Sequence, residues 1–509
     1  MGASAPDETT RGVASARWIG LVLGPLLAVV LYLVLPSGEH GLSDGGRATA
    51  ACAALMATWW LTEAVPLAAT ALLPIVLFPL VGALPLGQTT ARYAHELIFL
   101  FMGGFLLALA MQKWDLHKRI ALTTVLIVGT RPRRLIAGFM IATAMLSMFV
   151  SNTATAVMLV PIGLSVIDLV DRRLHETSED ASATGPFATA LMLAIAYAAS
   201  IGGVGTLIGS PPNTLLAGFV QERYGVTISF AAWMKVGLPL VVVFLPIAWL
   251  YLTRIAHPIR LERIPGGRAM IREQRAALGP MSRGEWAVFI VFTCTALAWI
   301  TRPQLVALGE HMGWGPLAAL SDTGIAMLGG LVLFVIPVDW RSREFVMDWH
   351  TAERMPWGVL ILFGGGLALA KAMEANRVDV FIGSAFSGAG GLPLIVLIAL
   401  VAAVVIFLTE LTSNTAVTSA LLPVLAGVAL ELNIDRPLAL LMPAAIAASF
   451  AFMLPVATPP NAIVFSSGRV SVAQMARAGL ALNLVGIVLV TLATWALLPM
   501  LGIELPPTP

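Results

Sequence analysis

Charge is scarce in this sequence. Asp, Glu, Lys and Arg make up 11% of its 509 residues, against about 25% in soluble domains. Together with 58% hydrophobic residues and a mean hydropathy of +0.89, that deficit excludes a soluble fold and indicates a polytopic helical membrane protein. Cysteine is scarcer still. Cys52 and Cys294 both lie in apolar segments without metal-ligand spacing, so neither a disulfide framework nor a zinc site is expected. The short alternating strands of a transmembrane barrel are missing; the apolar runs are long and continuous, as at 238–251 and 480–498. No nucleophile–base pair or metal motif falls in these runs, which argues against an enzyme. A net charge of +2 gives no reason to expect a nucleic-acid partner, and no cofactor is expected. The polar first 17 residues lead into 18–35, which is too long for a signal peptide and lacks its cleavage flank. This stretch reads as a retained first span.

Small polar residues and helix breakers are present instead, in duplicate. Ser151-Asn152-Thr153 recurs as Ser413-Asn414-Thr415, 262 residues on, each copy deep in apolar sequence. Each is followed by a Pro-Pro-Asn element, Gly209-Ser210-Pro211-Pro212-Asn213 and Ala457-Thr458-Pro459-Pro460-Asn461. Breaks are costly in a bilayer unless they line a site, because freed backbone groups find no water there. A paired set of breaks points to a substrate and ion site at the interface of two internal repeats. The repeat is also visible elsewhere: 101–112 (FMGGFLLALAMQ) and 363–374 (FGGGLALAKAME) match at seven of twelve positions, again 262 apart. The Pro-Pro-Asn copies are 248 apart, and the polar stretch 171–185 is the right size for the intervening insertion.

About eleven spans of roughly 20 residues fit: 18–36, 47–64, 67–84, 93–111, 187–220, 232–253, 284–301, 322–338, 357–375, 437–468 and 477–500. Two re-entrant hairpins are expected at 134–170 and 393–430, with a Ser-Asn-Thr at each tip. The spans 187–220 and 437–468 are too long for one straight helix and carry the Pro-Pro-Asn breaks. The chain then divides into a tail and first helix (1–45), a first repeat (46–256), a basic linker (257–283) and a second repeat (284–501). With the N-terminus inside, 22 of the 30 Lys and Arg residues fall on the cytoplasmic face, as the positive-inside rule requires. The hairpins then enter from opposite sides, which is the arrangement of inverted-topology repeats. An inner-membrane, multi-pass protein with a cytoplasmic N-terminus is expected. The segments 113–126 and 341–357 read as amphipathic helices at the interface, with Trp340, Trp349 and Trp357 as anchors.

A sodium ion prefers oxygen ligands. The first tip offers Ser147, Ser151 and Asn152; the second offers Thr409, Thr412, Ser413 and Asn414; the breaks add backbone carbonyls at Gly209 and Ala457. Ser210 and Thr458 sit at half-helix N-termini, where the dipole favours an anion. Ser and Asn also act simply as interhelical glue, but duplicated tips beside duplicated breaks favour a site. Of the intramembrane acids, Glu63 is expected to pair with an Arg or backbone, while Glu410 is a candidate for the ion path. Gly103-Gly104 and Gly364-Gly365-Gly366 are expected to permit close helix packing, not to cradle phosphate.

At 59–74 (WWLTEAVPLAATALLP), the two tips and 449–465 (SFAFMLPVATPPNAIVF), the chain resembles the divalent anion/sodium symporter family of dicarboxylate, citrate and sulfate carriers. The similarity runs over roughly 46–501. It implies a homodimeric elevator-type transporter with a scaffold and a mobile transport domain. One sodium site would use Ser147, Ser151, Asn152 and Gly209; the second would use Thr409, Thr412, Asn414 and Ala457. Substrate carboxylates would meet Asn152, Thr153, Ser210, Asn414, Thr415 and Thr458. The implied activity is sodium symport of a C4-dicarboxylate (succinate, malate or fumarate). The same machine carrying citrate, sulfate or 2-oxoglutarate, or working as an exchanger, is the nearest alternative, and an anion channel a remote one.

Overall fold

The computed structural model describes residues 8–37, 41–176, 184–261, 263–264 and 266–503. Part of the expected insertion at 171–185 therefore lies outside the described residues, as do residues 1–7 of the tail. The described chain is mostly helical, and its one sheet is an antiparallel two-stranded ribbon, Pro337–Asp339 with Glu344–Phe345, among the described residues. Among the described residues, nine helices are long and apolar enough to cross a membrane, and four shorter apolar helices accompany them. Two of the nine, Asn152–Arg172 and Asn414–Glu431, are arms of the expected hairpins, and four of the eleven expected spans, 47–64, 67–84, 322–338 and 437–468, hold only shorter or less apolar helices. Residues 67–84 hold Leu67–Thr70 and Leu73–Leu80, split ahead of Pro74, and 437–468 holds the short helices Leu438–Ala447 and Pro459–Ser466. The helix Asp44–Thr62 is long enough but less apolar than the nine.

Serine fixes where many of these helices begin. Ser43, Ser229, Ser321 and Ser471 each accept a hydrogen bond from a first-turn backbone N–H, and Ser282 forms a full capping box with Glu285. Each such cap satisfies a donor that would otherwise be orphaned and is worth about 1 kcal/mol.

Both hairpins form where expected. Pro132–Ser147 and Asn152–Glu176 make the first, Leu394–Thr409 and Asn414–Glu431 the second. The paired arms begin 262 residues apart, and so do the left-handed residues Asp115 and Arg377 that precede the first arms' neighbouring helices. Both long spans are broken, into Thr184–Gly203 with Pro211–Tyr224 and into Leu438–Ala447 with Pro459–Ser466. Each half-helix after a break packs against the other repeat's hairpin: Pro459–Ser466 against Asn152–Glu176, and Pro211–Tyr224 against Asn414–Glu431. The glycine clusters permit close approach. A Cβ on Gly103 would lie 2.4 Å from the Ala326 backbone, and one on Gly365 would lie 2.4 Å from the Ala71 carbonyl oxygen.

Outside the bundle the two expected amphipathic helices differ in outcome. Leu116–Val128 is a helix that buries His117, Ala121 and Val125 along one stripe. It packs on the first hairpin and on the linker helix Gly267–Ala277. Arg119 fastens the linker, donating to Glu285 at 2.8 Å and to the carbonyl of Gly279 at 3.0 Å. The segment 341–357 is not an amphipathic helix. It completes the ribbon and then forms only the short turn of helix Trp349–Ala352, because Asp348 caps at Thr351 and Pro356 ends the run. Trp340, Trp349 and Trp357 are nevertheless exposed. Glu63 pairs with Arg17 at 3.4 Å, the structural role expected of it.

Candidate functional site

At the first tip, the Ser147 hydroxyl lies 2.5 Å from Asn152 Oδ1 and 2.8 Å from the Ala199 carbonyl oxygen. At the second, Thr409 Oγ1 lies 2.6 Å from Asn414 Oδ1 and 3.1 Å from the Ala448 carbonyl oxygen. A hydroxyl has one proton, so with the amide oxygen facing it each triad of oxygens is short of one hydrogen. With the amide turned the other way, Nδ2 donates to the hydroxyl and Oδ1 is released. Either way an oxygen lone pair is left unclaimed, which is what a hard cation needs.

The breaks complete the arrangement. Asn213 Nδ2 donates to the carbonyls of Gly203 at 3.0 Å and Thr206 at 2.8 Å. Its counterpart, Asn461 Nδ2, donates to Ala451 at 3.1 Å and Leu454 at 3.0 Å. The third residue of each Pro-Pro-Asn therefore holds its own break open, and Oδ1 of both asparagines is buried without a protein partner among the described residues. Gly209 faces the Gly203 and Met148 carbonyls so closely that a Cβ would sit 2.5 and 2.9 Å from their oxygens, and a Cβ on Gly203 would lie 2.7 Å from Asn152 Oδ1. Asn152 and the carbonyls of Gly203, Gly209 and Met148 therefore converge on one small volume at the first tip. The glycine is required there by space alone.

The remaining candidates divide into two groups. Thr153 is exposed and Thr415 half-buried, and neither hydroxyl has a partner among the described residues. Ser151 accepts from Ala154 N at 3.2 Å as a cap, and Thr412 donates to the Leu408 carbonyl at 2.8 Å, so its side chain is occupied. Ser210 and Thr458 are buried with their hydroxyls engaged. Ser210 Oγ meets Ser449 Oγ at 2.9 Å, and Thr458 Oγ1 accepts from Asn461 N at 3.3 Å. Nor do the half-helices beyond them offer a full set of backbone donors, since the prolines at 211–212 and 459–460 have no N–H. The longer helices that begin at Asn152 and Asn414 offer more: Ser413 supplies no side-chain cap, Ser151 takes only the Ala154 N–H, and the N–H groups of Asn152, Thr153, Asn414 and Thr415 have no partner among the described residues. The unpartnered N–H donors therefore lie at the hairpin tips, where a helix dipole favours negative charge.

Several supporting residues escape sequence reasoning. Tyr197 donates to the Phe452 carbonyl at 2.8 Å, tying one broken helix to the other, as Ser449 does through Ser210. Asn483 lies buried inside the apolar run 480–498. A single amide in such a run is the one signal that could have marked it. A cavity of about 480 Å³ at the foot of the second hairpin, lined by residues including Leu392, Asn433 and Arg436, contains none of the tip residues.

A bundle of broken helices and paired hairpins around oxygen-rich tips defines a membrane transporter. Residues 15–503 match the profile of the sodium:sulfate symporter transmembrane region, and the chain belongs to that family. It is 44% identical over 488 residues to the sodium-dependent dicarboxylate transporter SdcS of Staphylococcus saprophyticus, covering 96% of this chain and 92% of that one. It is 43% identical over 494 residues to the protein of the same name from Staphylococcus aureus, covering 97% and 93%. Among solved structures it is similar to the YdaH transporter of Alcanivorax borkumensis (TM-score 0.57, 14% identity, 97% and 99% of the two chains). It is likewise similar to Neisseria gonorrhoeae MtrF (TM-score 0.56, 12% identity, 97% and 95%). At these identities the two structures share the fold alone.

Proposed function

We propose that this protein is a sodium-coupled symporter that imports C4-dicarboxylates such as succinate, malate and fumarate across the inner membrane. The observation that carries the reading is the pair of matched oxygen-rich clusters, Ser147–Asn152–Ala199 and Thr409–Asn414–Ala448, each beside a held-open break. One sodium ion is assigned to Ser147, Ser151, Asn152 and Gly209, the other to Thr409, Thr412, Asn414 and Ala457. At Ser151, Thr412, Gly209 and Ala457 the backbone carbonyl is the ligand. The dianion is held between the tips by Asn152, Thr153, Asn414 and Thr415 through side chains and uncapped N–H groups. Ser210 and Thr458 frame it from below. With no Lys or Arg among these residues, bound sodium and the helix dipoles offset the substrate's charge.

The reading extends to movement and assembly. The interlocking of each half-helix with the opposite hairpin supports a single transport body that shifts past the remaining helices in an elevator motion, in a homodimer. The repeats, 46–256 and 284–501 on either side of the linker 257–283, are inverted in topology, and the N-terminus is cytoplasmic. The sodium-dependent dicarboxylate transporters among its relatives support the substrate class. The test is uptake of radiolabelled succinate into proteoliposomes with and without an inward sodium gradient, against competing fumarate, malate, citrate and sulfate. Equal initial rates in sodium and potassium remove the coupling. Sulfate uptake that no C4-dicarboxylate inhibits removes the substrate assignment.

A further inference from the structure

The two tips match at the serine or threonine and at the Ser-Asn pair, and differ at the three positions between them. Position 148 is Met148, whose carbonyl accepts from Thr206 Oγ1. The position 262 residues later is Glu410. Its buried carboxylate accepts from three successive backbone N–H groups, Phe452 at 2.7 Å, Met453 at 2.9 Å and Leu454 at 3.0 Å, and from Asn483 Nδ2 at 2.7 Å. It has no ion pair among the described residues. Successive N–H groups around a carboxylate form a nest, and all four of its contacts come from N–H donors, the geometry of a held anion. The second repeat therefore holds a carboxylate in a nest at a position where the first has a methionine. That carboxylate follows Thr409 directly in the chain and grips the same break whose carbonyls Asn461 holds.

We propose that Glu410 is a positioning residue that makes the two cation sites unequal: it clamps the second break to its hairpin tip and places a negative charge beside it. The second site therefore has the higher sodium affinity and fills first. The inference rests on the sodium-coupled reading above. A unit charge within about 10 Å, at an effective dielectric near 20, favours a cation by roughly tenfold.

The test is a sodium titration of thermal unfolding on the purified full-length protein, with ionic strength held by choline chloride. The wild type should be stabilised in two steps. Thr409→Val should remove the tighter step and Ser147→Ala the weaker one, a comparison that leaves Glu410 untouched. Glu410→Gln should move the tighter step about tenfold to higher sodium. Asn483→Leu removes one donor and keeps the charge, so it should lower the melting temperature while leaving the sodium midpoint within about twofold. Loss of the tighter step in Ser147→Ala, or equal sodium shifts in Glu410→Gln and Asn483→Leu, overturns this inference alone. A wild type with no sodium-specific stabilisation overturns the sodium reading and this inference with it.

Discussion

Adding one methyl group at Gly209 tests the proposed first ion site with a matched control in the second. In Gly209→Ala the new Cβ would lie 2.5 Å from the Gly203 oxygen and 2.9 Å from that of Met148. Both are backbone atoms, so neither moves aside as the end of a flexible side chain would. Ordinary contact begins near 3.4 Å, and relief requires shifting the break or the tip by most of an ångström. Overpacking of that kind costs about 1–3 kcal/mol, here taken from the geometry that sets the oxygens, which corresponds to roughly 5- to 150-fold in ion affinity. The equivalent position of the second repeat, 248 residues on, already carries a Cβ as Ala457. Ala457→Gly should therefore cost no more than the roughly 0.5–1 kcal/mol of added backbone freedom. The assay is the sodium dependence of succinate uptake in proteoliposomes, beside melting temperature and size-exclusion profile. Gly209→Ala should raise the half-maximal sodium concentration at least fivefold while the protein remains monodisperse. Ala457→Gly should stay within about fivefold of wild type, without the clash that takes Gly209→Ala up to roughly 150-fold. A Gly209→Ala protein with wild-type sodium dependence would show that the converging carbonyls are not ion ligands.

Asn152→Ala and Asn414→Ala each delete an amide from an oxygen triad and leave buried groups unpaired at about 1–3 kcal/mol apiece, so uptake should fall at least tenfold in either, with expression unchanged. Wild-type rates in both would reduce the tips to packing. Topology is checked by single cysteines in a cysteine-free background. One at Gly266 should react with an impermeant thiol reagent only from the cytoplasm, and one at Gly388 only from outside; labelling of both from the same side would break the inverted-repeat reading. The Lys113–Asp348 pair, at 2.7 Å, bears on pH. The Lys113 ammonium and the Thr351 N–H lower the Asp348 carboxyl to about 2. A depressed carboxyl stabilises the fold above its unfolded value near 3.9 and loses that contribution as pH falls through about 2. The pair is thus intact between pH 5 and 8, and Asp348→Asn should leave the shape of the pH–uptake profile in that range unchanged. A profile that shifts would assign this carboxylate a role in transport.

The sequence by itself determined the helical membrane class, both hairpins and both broken helices, because hydrophobic run length and helix breakers are local properties. Spacing alone revealed the repeat, and it placed Asn152 beside Ser147 and Asn414 beside Thr409, since five residues around a tip leave little freedom. Local reasoning failed where the partner lay far along the chain. Ser210 and Thr458 carry hydroxyls that look free in sequence, yet Ser210 is joined to Ser449, 239 residues away. For Glu410, a candidate for the ion path, the sequence could not show that its donors are the N–H groups of Phe452, Met453 and Leu454. The segment 341–357 has an amphipathic composition, but its backbone pairs into a ribbon against the bundle. For Ser210 and Glu410 the deciding contact crosses from one helix to another. A buried polar group is committed by whichever donor or acceptor the packing brings to it, and only the tertiary structure decides which one that is.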